Sequence, residues 1–219
     1  MSHTVHPYSH RLGIIRDWKS RWFGAHGKYQ EFLKGDVLLR EFLVKKLRGF
    51  YVAGIEMERG KNSFKILIKT SRPGMIIGRN GEGAVKLKKD VLKQAHRIGV
   101  SVEGLDIEID EVRSPETNAA IVSQMVAEGL EKRMPFKRVM KQAAEKTMSN
   151  RDVQGIRIAL AGRLGGAEMA RKEGVKKGRI PLQTLRADID FAKERAHLGY
   201  GHIGIKVWIY KGDIFEDKK

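Results

Sequence analysis

The sequence lacks cysteine altogether and contains no long hydrophobic run. Without thiols the chain forms no disulfide, no thiolate zinc site and no cysteine nucleophile. No apolar segment approaches the roughly 20 residues that cross a bilayer, and the chain does not start with the charged and apolar regions of a secretory signal. These absences predict a cytoplasmic protein without a metal or another cofactor and without a membrane partner.

The sequence also contains fewer acidic than basic residues. The 219 residues include 26 Asp and Glu against 43 Lys and Arg, which gives a formal net charge of +17. An excess of this size predicts an anionic polymer as partner, with nucleic acid as the first candidate. A membrane surface is the rival anion, and the absence of a long apolar run and of a secretory signal argues against it. Because 41% of the residues are hydrophobic, the chain can fill the cores of one or two ordinary domains.

The most informative motif is a glycine-rich turn formed by Gly78, Arg79, Asn80 and Gly81. Glycines at both ends allow positive φ angles and let a phosphodiester approach the main chain. The amides at the start of the next predicted helix and the charge of Arg79 favour an anion at the same place. The turn therefore predicts a site for a backbone phosphate. Cations of the following helix extend this site: Lys86, Lys89 and Lys93.

Two nucleotide-binding motifs also use glycine-rich turns, and neither fits this one. The P-loop pattern requires Lys and then Ser or Thr after its last glycine, but Gly83 is followed by Ala84 and Val85. The dinucleotide fingerprint fails because Lys86 stands where its third glycine belongs. A GxxG sequence alone marks a tight connection between helices. Between a strand, a short apolar helix and a basic helix, it resembles a KH domain, which implies binding of RNA or single-stranded DNA.

The order of predicted elements around the turn supports the same resemblance. Asp36 is a candidate N-cap of a first helix, and two strands at residues 50–58 and 64–70 are joined by a turn at residues 59–62. Residues 105–110 alternate between apolar and acidic side chains in a third strand. A KH fold of the second type is similar in this order, which implies a three-stranded mixed sheet with helices on one face.

Two helices are predicted to open the second half of the chain. Ser114 caps the first, with Pro115 in its first turn, and Pro135 separates it from the second. A run of charge is usually a solvated helix face, but no carboxylate occurs in residues 132–142 to offset the repulsion. The second helix is therefore another candidate RNA contact. Its outer face carries Lys137, Arg138 and Lys141.

A strand at residues 156–160 is followed by a stretch rich in glycine and lysine, which we predict to be a long loop. Such a loop cannot bury its charges and offers many main-chain donors, so a phosphate backbone is its expected partner. A merely mobile loop is the alternative. The candidate contacts are Arg163, Gly165, Gly166, Arg171, Lys172, Lys176, Lys177 and Arg179. Two further strands are predicted around Ile189 and Val207.

The first 34 residues mix cations with aromatic side chains and histidines. The aromatic side chains either stack on bases or hold this arm against the folded body. His3, His6 and His10 lack an acid or Cys that would complete a familiar metal spacing. We therefore predict solvated or RNA-facing histidines.

Asp188 and Asp190 are the carboxylates that most suggest a metal-dependent nuclease. They fall on the outward face of a predicted strand beside Arg186, and no third acid or base follows at a recognisable spacing. A solvated or salt-bridged pair is the preferred interpretation. No catalytic residues and no metal ligands are predicted.

Several stretches together resemble the bacterial form of the universal small-subunit ribosomal protein three, in order and over nearly the whole chain. They are VHP at residues 5–7, RLGI at 11–14, RPGMIIGRNGE at 72–82, GRLGGAEMAR at 162–171, RIPLQTLRADID at 179–190 and GIKVWIYKG at 204–212. The resemblance implies an α+β fold with a KH domain of the second type and a C-terminal domain of two helices packed on a mainly antiparallel sheet. The expected divisions are a basic and aromatic arm at residues 1–34, the KH domain at 35–113, the C-terminal domain at 114–212 and a short tail at 213–219.

The same resemblance implies a structural constituent of the small ribosomal subunit that binds ribosomal RNA in the head and lines the channel through which messenger RNA enters. The family grips incoming messenger with a basic trio on the second helix of its C-terminal domain. Lys137, Arg138 and Lys141 match that trio, although Lys137 lacks the planar fork of the family's usual Arg.

Further contacts with ribosomal RNA are expected in the glycine- and lysine-rich stretch and at His6 and Arg11 of the arm. The expected partners are ribosomal RNA, messenger RNA and the neighbouring head proteins ten and fourteen, in cytoplasmic ribosomes. The resemblance implies no small-molecule substrate.

Two other functions stay open on the sequence alone. A nuclease or lyase would cleave end-labelled RNA in the presence of magnesium, whereas a protein that only binds RNA would leave it intact. A free-standing KH regulator would stay at the top of a sucrose gradient, whereas a ribosomal protein would migrate with small subunits at high salt.

Overall fold

The computed structural model describes residues 5–24, 27–60, 63–99 and 104–215. Contacts group residues 18–113 into a first unit, and residues up to 17 with those from 114 onward into a second unit. The arm predicted at residues 1–34 is thus divided between the two units. His3, residues 61–62 of the predicted hairpin turn and residues 216–219 of the predicted tail lie outside the described residues.

Six helices and eight strands make up the described part of the chain. The helices are α1 (Pro7–His10), α2 (Lys28–Lys46), α3 (Pro73–Ile77), α4 (Glu82–Ile98), α5 (Ala119–Glu131) and α6 (Phe136–Met148). The strands are β1 (Ser20–Arg21), β2 (Val52–Arg59), β3 (Phe64–Thr70), β4 (Leu105–Glu111), β5 (Gly155–Gly162), β6 (Arg171–Gly178), β7 (Ala187–Leu198) and β8 (Gly201–Asp213). The sheet order is β1-β2-β3-β4 in the first unit and β6-β5-β8-β7 in the second. This architecture confirms the predicted α+β fold.

The first unit is built on the mixed sheet that its element order predicts. β2 pairs antiparallel with β3, β3 pairs parallel with β4, and the short β1 adds a parallel edge beside β2. Alternation along β3 buries Phe64, Ile66 and Ile68. Leu87 and Val91, one helical turn apart on α4, are buried in the same core. The alternating apolar residues of β3 and the helically spaced apolar residues of α4 therefore form one hydrophobic core.

Helix α2 begins at Lys28, so the prediction that Asp36 caps a helix start is wrong. Asp36 lies within the helix and is only 1% exposed. Its Oδ1 accepts hydrogen bonds from Arg59 Nη2 at 2.7 Å and Nε at 3.0 Å, and its Oδ2 accepts one from Trp22 Nε1 at 2.7 Å. A buried carboxylate requires such donors because it has lost its hydration. The donors come from other segments, so no local pattern reveals them.

In the second unit, α5 and α6 pack on one face of a fully antiparallel sheet. Ile156 and Ile158 of β5 are buried together with Val207 of β8, to which Ile158 is directly paired. Val126 of α5 and Ala144 of α6 complete the same core. This arrangement confirms the predicted domain of two helices on an antiparallel sheet.

The start of α5 differs from the predicted start at Ser114. Pro115–Thr117 form a 3-10 turn, and α5 itself begins only at Ala119. The Oδ1 atom of Asn118 caps it by accepting hydrogen bonds from the amides of Ala120 and Ile121 at 3.0 and 3.4 Å. Asn satisfies helix amides as well as Ser does, and so the two candidate positions cannot be separated by residue type alone.

The glycine- and lysine-rich stretch is not one long loop. Its second part, Arg171–Gly178, is β6, which pairs antiparallel with β5 along its whole length. Val175 is its half-buried apolar residue, packed against the core. An edge strand contributes main-chain hydrogen bonds on one side and tolerates many charged side chains. The many lysines therefore led to the prediction of a loop where the structure has the edge strand β6.

Candidate nucleic-acid interface

The glycine-rich turn connects α3 to α4 as predicted. Both of its glycines have positive φ angles, 71° at Gly78 and 79° at Gly81. Asn80, in the short 3-10 turn between them, also has a positive φ of 51°. Arg79 is exposed at this turn, three residues before the start of α4. The turn therefore places a guanidinium and the positive end of a helix dipole at the same accessible point.

Gly83 explains how α3 and α4 meet so closely. A Cβ atom at this position would lie 2.5 Å from the main-chain oxygen of Ile76 and 2.8 Å from that of Ile77. These contacts are with main-chain atoms of α3, which cannot move aside as a side chain can. Gly83 is thus needed for the close packing that supports the turn, a requirement that the two glycines of the GxxG motif did not indicate.

The substitution Gly83→Ala is expected to lower the free energy of unfolding of the first unit by about 1–3 kcal/mol, because the added methyl group overpacks the contact with α3. Gly74→Ala is the matched control, since a Cβ at Gly74 meets nothing within 4 Å. Alanine in a helix should leave stability equal or up to about 1 kcal/mol higher. Urea denaturation of both variants tests this difference, and equal stabilities would contradict it.

A cationic strip follows the turn along α4, where Lys86, Lys89 and Lys93 are exposed. Asp90 lies among them and accepts a hydrogen bond from Lys46 of α2. This bond is the main cause that lowers the pKa of Asp90, and the charges of Lys93 and Lys86 lower it further against the opposing effect of burial. The ionised carboxylate offsets one positive charge, and the strip stays positive overall.

A second basic surface lies on α6, and we call it the basic helix patch. It consists of the exposed residues Lys137, Arg138 and Lys141. The nearest carboxylates before and after it in sequence are engaged elsewhere: Glu131 accepts a hydrogen bond from the amide of His197 at 2.9 Å, and Glu145 pairs with Lys177 at 3.1 Å. No residue of the patch forms an ion pair with a carboxylate in the described part of the chain. Its charges are therefore available to an external anion.

The first part of the glycine- and lysine-rich stretch is a turn that Arg163 holds together. Its Nε donates to the carbonyl of Ala167 at 2.9 Å and its Nη1 to that of Tyr200 at 3.3 Å. Gly165 and Gly166 shape the turn with φ angles of 68° and 82°. Arg163 thus has a structural role at this surface besides its predicted one.

The remaining candidates of this stretch lie on or beside β6 and differ in their partners. Arg171 forms an ion pair with Glu173 at 3.2 Å, and Lys177 pairs with Glu145. The exposed cations without an ion pair to any described carboxylate are Lys172, Lys176 and Arg179. The structure therefore leaves these three as the more accessible candidates.

The sequence predicts that Arg11 contacts RNA, but the structure buries its side chain completely. The residue is therefore removed from the RNA-contacting surface. The guanidinium donates hydrogen bonds to the carbonyls of Ala187 at 2.6 Å, Pro7 at 3.0 Å, Leu182 at 3.1 Å and Thr184 at 2.9 Å. Burial lowers the pKa of Arg11 from its ordinary value, and nearby Asp188 partly opposes this effect. The residue ties α1 to the second unit.

His6, the other candidate of the arm, stays exposed. Its Nδ1 accepts a hydrogen bond from the amide of Tyr8 at 3.2 Å, and its ring meets Phe191 edge-on with centroids 4.8 Å apart. The ring is thus positioned on the second unit while it keeps an accessible surface.

The carboxylates considered for a nuclease serve structural contacts. Asp188 pairs with Arg16, and Asp190 accepts a hydrogen bond from the amide of Ala119 at 2.8 Å at the start of α5. Within the described ranges, no group of three or more His, Asp or Glu side chains could hold a metal ion. Among the helices of the described ranges, none combines the length and the hydrophobicity that a bilayer-spanning segment requires.

Two family models match successive parts of the chain. Residues 38–117 match the model of the KH domain, which covers the C-terminal half of α2 and continues through β4. Residues 126–209 match the model of the C-terminal domain of ribosomal protein S3. The GxxG turn lies within the first match and the basic helix patch within the second.

Similar proteins from three bacteria carry the name small ribosomal subunit protein uS3. The protein of Nitrosococcus oceani is 44% identical over 99% of this chain and 94% of its own length. The protein of Caldicellulosiruptor bescii is 43% identical over 100% and 96%, and that of Methylococcus capsulatus is 45% identical over 99% and 94%. Identity at this level over nearly full length extends across both units. The chain belongs to the family of the small ribosomal subunit protein uS3.

Proposed function

We propose that this protein is a structural component of the small ribosomal subunit, in which it binds ribosomal RNA and catalyses no reaction. Membership of a family whose members are named small ribosomal subunit proteins supports this function. The observation that carries the RNA contact is the exposed Arg79 at a GxxG turn, followed by the cationic strip of α4. Cations on a rigid scaffold release the counterions of RNA, and glycine turns allow main chain and phosphate to approach.

The proposed contacts with ribosomal RNA include the accessible candidates of both units. In the first unit they are Gly78, Arg79, Asn80, Gly81, Lys86, Lys89 and Lys93, and in the second unit they are Lys172, Lys176, Arg179 and His6. Head proteins ten and fourteen are the proposed protein neighbours. In a sucrose gradient at high salt, the tagged full chain should migrate with small subunits; a peak confined to the top of the gradient would contradict the proposal.

The basic helix patch is proposed to grip incoming messenger RNA at the channel of the subunit. The three cations of Lys137, Arg138 and Lys141 share one helix face, and no described carboxylate neutralises them. A helix fixes the backbone positions from which these side chains extend, so only the side chains and not the backbone must become ordered when they meet phosphates. Such a grip would keep the messenger in place while the ribosome opens a hairpin ahead of it.

Replacing all three residues of the basic helix patch with Ala should slow translation through messenger hairpins roughly 5- to 30-fold. Three exposed charge contacts together contribute about 1–2 kcal/mol, and that free energy corresponds to this range of rates. Subunits carrying the variant would be compared with wild-type subunits in a reconstituted translation system. Passage over an unstructured messenger serves as the internal reference and should change little.

A matched control removes three exposed lysines of α2 instead, through Lys28→Ala, Lys34→Ala and Lys45→Ala. The net charge of the chain falls by the same amount in both variants. Equal hairpin passage by the two variants would refute a specific role of the basic helix patch. Normal migration of both variants with small subunits shows that the difference does not arise from failed assembly.

A further inference from the structure

The sheet of the second unit carries helices α5 and α6 on one face and an array of cations on the other. Alternation along the strands points Ile156 and Ile158 toward the helices, and the residues between them toward the opposite face. Register places Arg157 directly opposite Lys176, and Lys193 directly opposite Lys206. We call this surface the cationic sheet face. We define it by the exposed residues Arg157, Lys172, Lys176, Lys193 and Lys206; Arg195 is also exposed on this face and is not used in the definition.

No acidic side chain balances these charges from the same face. Glu173 and Glu194 occur on β6 and β7, but each is paired in register with a residue that faces the helices. No member of the cationic sheet face forms an ion pair with a carboxylate in the ranges that the structure describes. Like charges directly opposite each other destabilise neighbouring strands. The two opposed cation pairs therefore work against the folding of the sheet itself.

The sheet of the first unit shows how this chain treats a charged sheet surface that only needs to be soluble. There, Lys65 pairs with Glu108 at 2.6 Å, and Lys69 pairs with Glu56 at 2.6 Å. Arg21 of the edge strand pairs with Glu58 at 2.7 Å. Each cation meets an anion on the neighbouring strand, which stabilises the pairing. The imbalance on the second sheet is thus not a general feature of the chain.

Two aromatic rings lie beneath the cations and help to decide which form of nucleic acid fits. The Arg157 guanidinium lies over the Trp208 ring at 5.0 Å, and the Lys193 ammonium lies over the Phe191 ring at 5.6 Å. Both rings are only partly exposed and pack against each other with centroids 5.1 Å apart. Rings covered in this way do not offer the open faces on which single-stranded bases stack. The cationic sheet face therefore offers positive charge to a phosphate backbone and no stacking platform to bases.

We propose that the cationic sheet face binds the phosphate backbone of double-helical RNA. Directly opposed cations lie about 5 Å apart across neighbouring strands, and Lys172 and Lys176 lie about 13 Å apart along β6, so the charges spread over a broad surface. Double-helical RNA is recognised mainly through its shape, phosphates and 2′-hydroxyls, which suits a flat surface of donors. The proposal deepens the proposed function by naming the form of RNA that this face meets. It joins Lys172 and Lys176 with residues of β5, β7 and β8 into one site.

The test compares two variants of the full chain that lose the same charge. The sheet variant carries Lys176→Gln, Lys193→Gln and Lys206→Gln, and the control carries Lys28→Gln, Lys34→Gln and Lys45→Gln on α2. Binding to a short RNA duplex of arbitrary sequence is measured between 50 and 200 mM salt. Each lost phosphate contact lowers the slope of log affinity against log salt by about 0.9.

The slope of the sheet variant should therefore be smaller than that of wild type by about 2–3. Between 50 and 200 mM salt, the affinity of wild type should fall by a factor roughly 40 times larger than that of the variant. The control should keep nearly the wild-type slope. Equal slopes for the two variants would contradict RNA binding at the cationic sheet face. An acidic protein surface would then be the expected partner of this face. Because opposed like charges are removed, the unfolding midpoint of the sheet variant should not fall below that of wild type.

Lysine acetylation of the wild-type chain gives a second measurement that needs no substitution. The duplex should protect Lys176, Lys193 and Lys206 from the reagent more strongly than Lys28, Lys34 and Lys45. Equal protection of the two groups overturns the proposal. The basic helix patch keeps the two proposals separable, because its test is hairpin passage and not duplex binding. If the patch variant loses hairpin passage but the sheet variant keeps the wild-type salt slope, only the site on the cationic sheet face is rejected.

Discussion

Replacing Asp36 with Ala is expected to lower the free energy of unfolding of the first unit by about 3–5 kcal/mol. The carboxylate lies 2.7 Å from Arg59 Nη2, and the two side chains are only 1% and 7% exposed. Removing it leaves a buried guanidinium without its counterion and the Trp22 Nε1 hydrogen without its acceptor. An unpaired buried charge is more destabilising than the intact pair is stabilising, which is why the expected loss is large.

Glu41→Ala is the matched control, because Glu41 is an exposed acid on the same helix. Its effect should stay within about 0.5 kcal/mol. Urea denaturation gives the overall change, and hydrogen exchange of β2 and β3 assigns it to the first unit. Asp36→Asn should have an intermediate effect, since it keeps an acceptor but loses the charge. A loss after Asp36→Ala no larger than that of the control would show that the pair does not stabilise the unit.

Arg11→Ala should lower the stability of the second unit by about 3–5 kcal/mol as well. Four carbonyl groups accept hydrogen bonds from the buried guanidinium, three of them in the segment that leads into β7. Its truncation leaves buried acceptors unsatisfied at a cost of about 1–3 kcal/mol for each group, although such losses are not additive. A surface RNA contact would behave differently, because its removal would leave stability unchanged.

Two further variants test this role of Arg11. Arg151→Ala removes an exposed arginine from the same unit and should change stability by no more than about 0.5 kcal/mol. Arg11→Lys should lie between wild type and Arg11→Ala, since one ammonium cannot reach all the carbonyls that a planar fork reaches. Hydrogen exchange near Ala187 should accelerate in Arg11→Ala. Wild-type exchange there, together with wild-type stability, would contradict this structural role of Arg11.

Much of the fold follows from repeats along the chain. Alternation at residues 64–70 predicted β3, and the spacing of Leu87, Val91 and Ala95 predicted the buried side of α4. Such patterns are informative because burying one face of a strand or helix requires apolar residues at the period of that element. The helix start at Asn118 and the strand β6 were missed, because several residue types cap helices and because edge strands accept charge.

The candidate site was predictable to the extent that it depends on local sequence. The GxxG turn needs its glycines for positive φ angles, and these are visible in the sequence itself. The availability of a cation is a different matter, since it depends on what the fold places beside it. Lys177 and Arg171 have carboxylate partners, Lys137 has none among the described residues, and Arg11 is buried.

Local sequence was enough to predict the classes of element, the basic character of the surface, the phosphate-favouring turn and the resemblance to a ribosomal family. The fold was needed to show that Asp36 pairs with Arg59, that Arg11 is buried, and that cations of four different strands share one face. The difference lies in the distance along the chain over which each interaction acts. Periodicity and turn chemistry act between neighbours along the chain, whereas burial and electrostatic pairing depend on residues that folding brings together from distant positions.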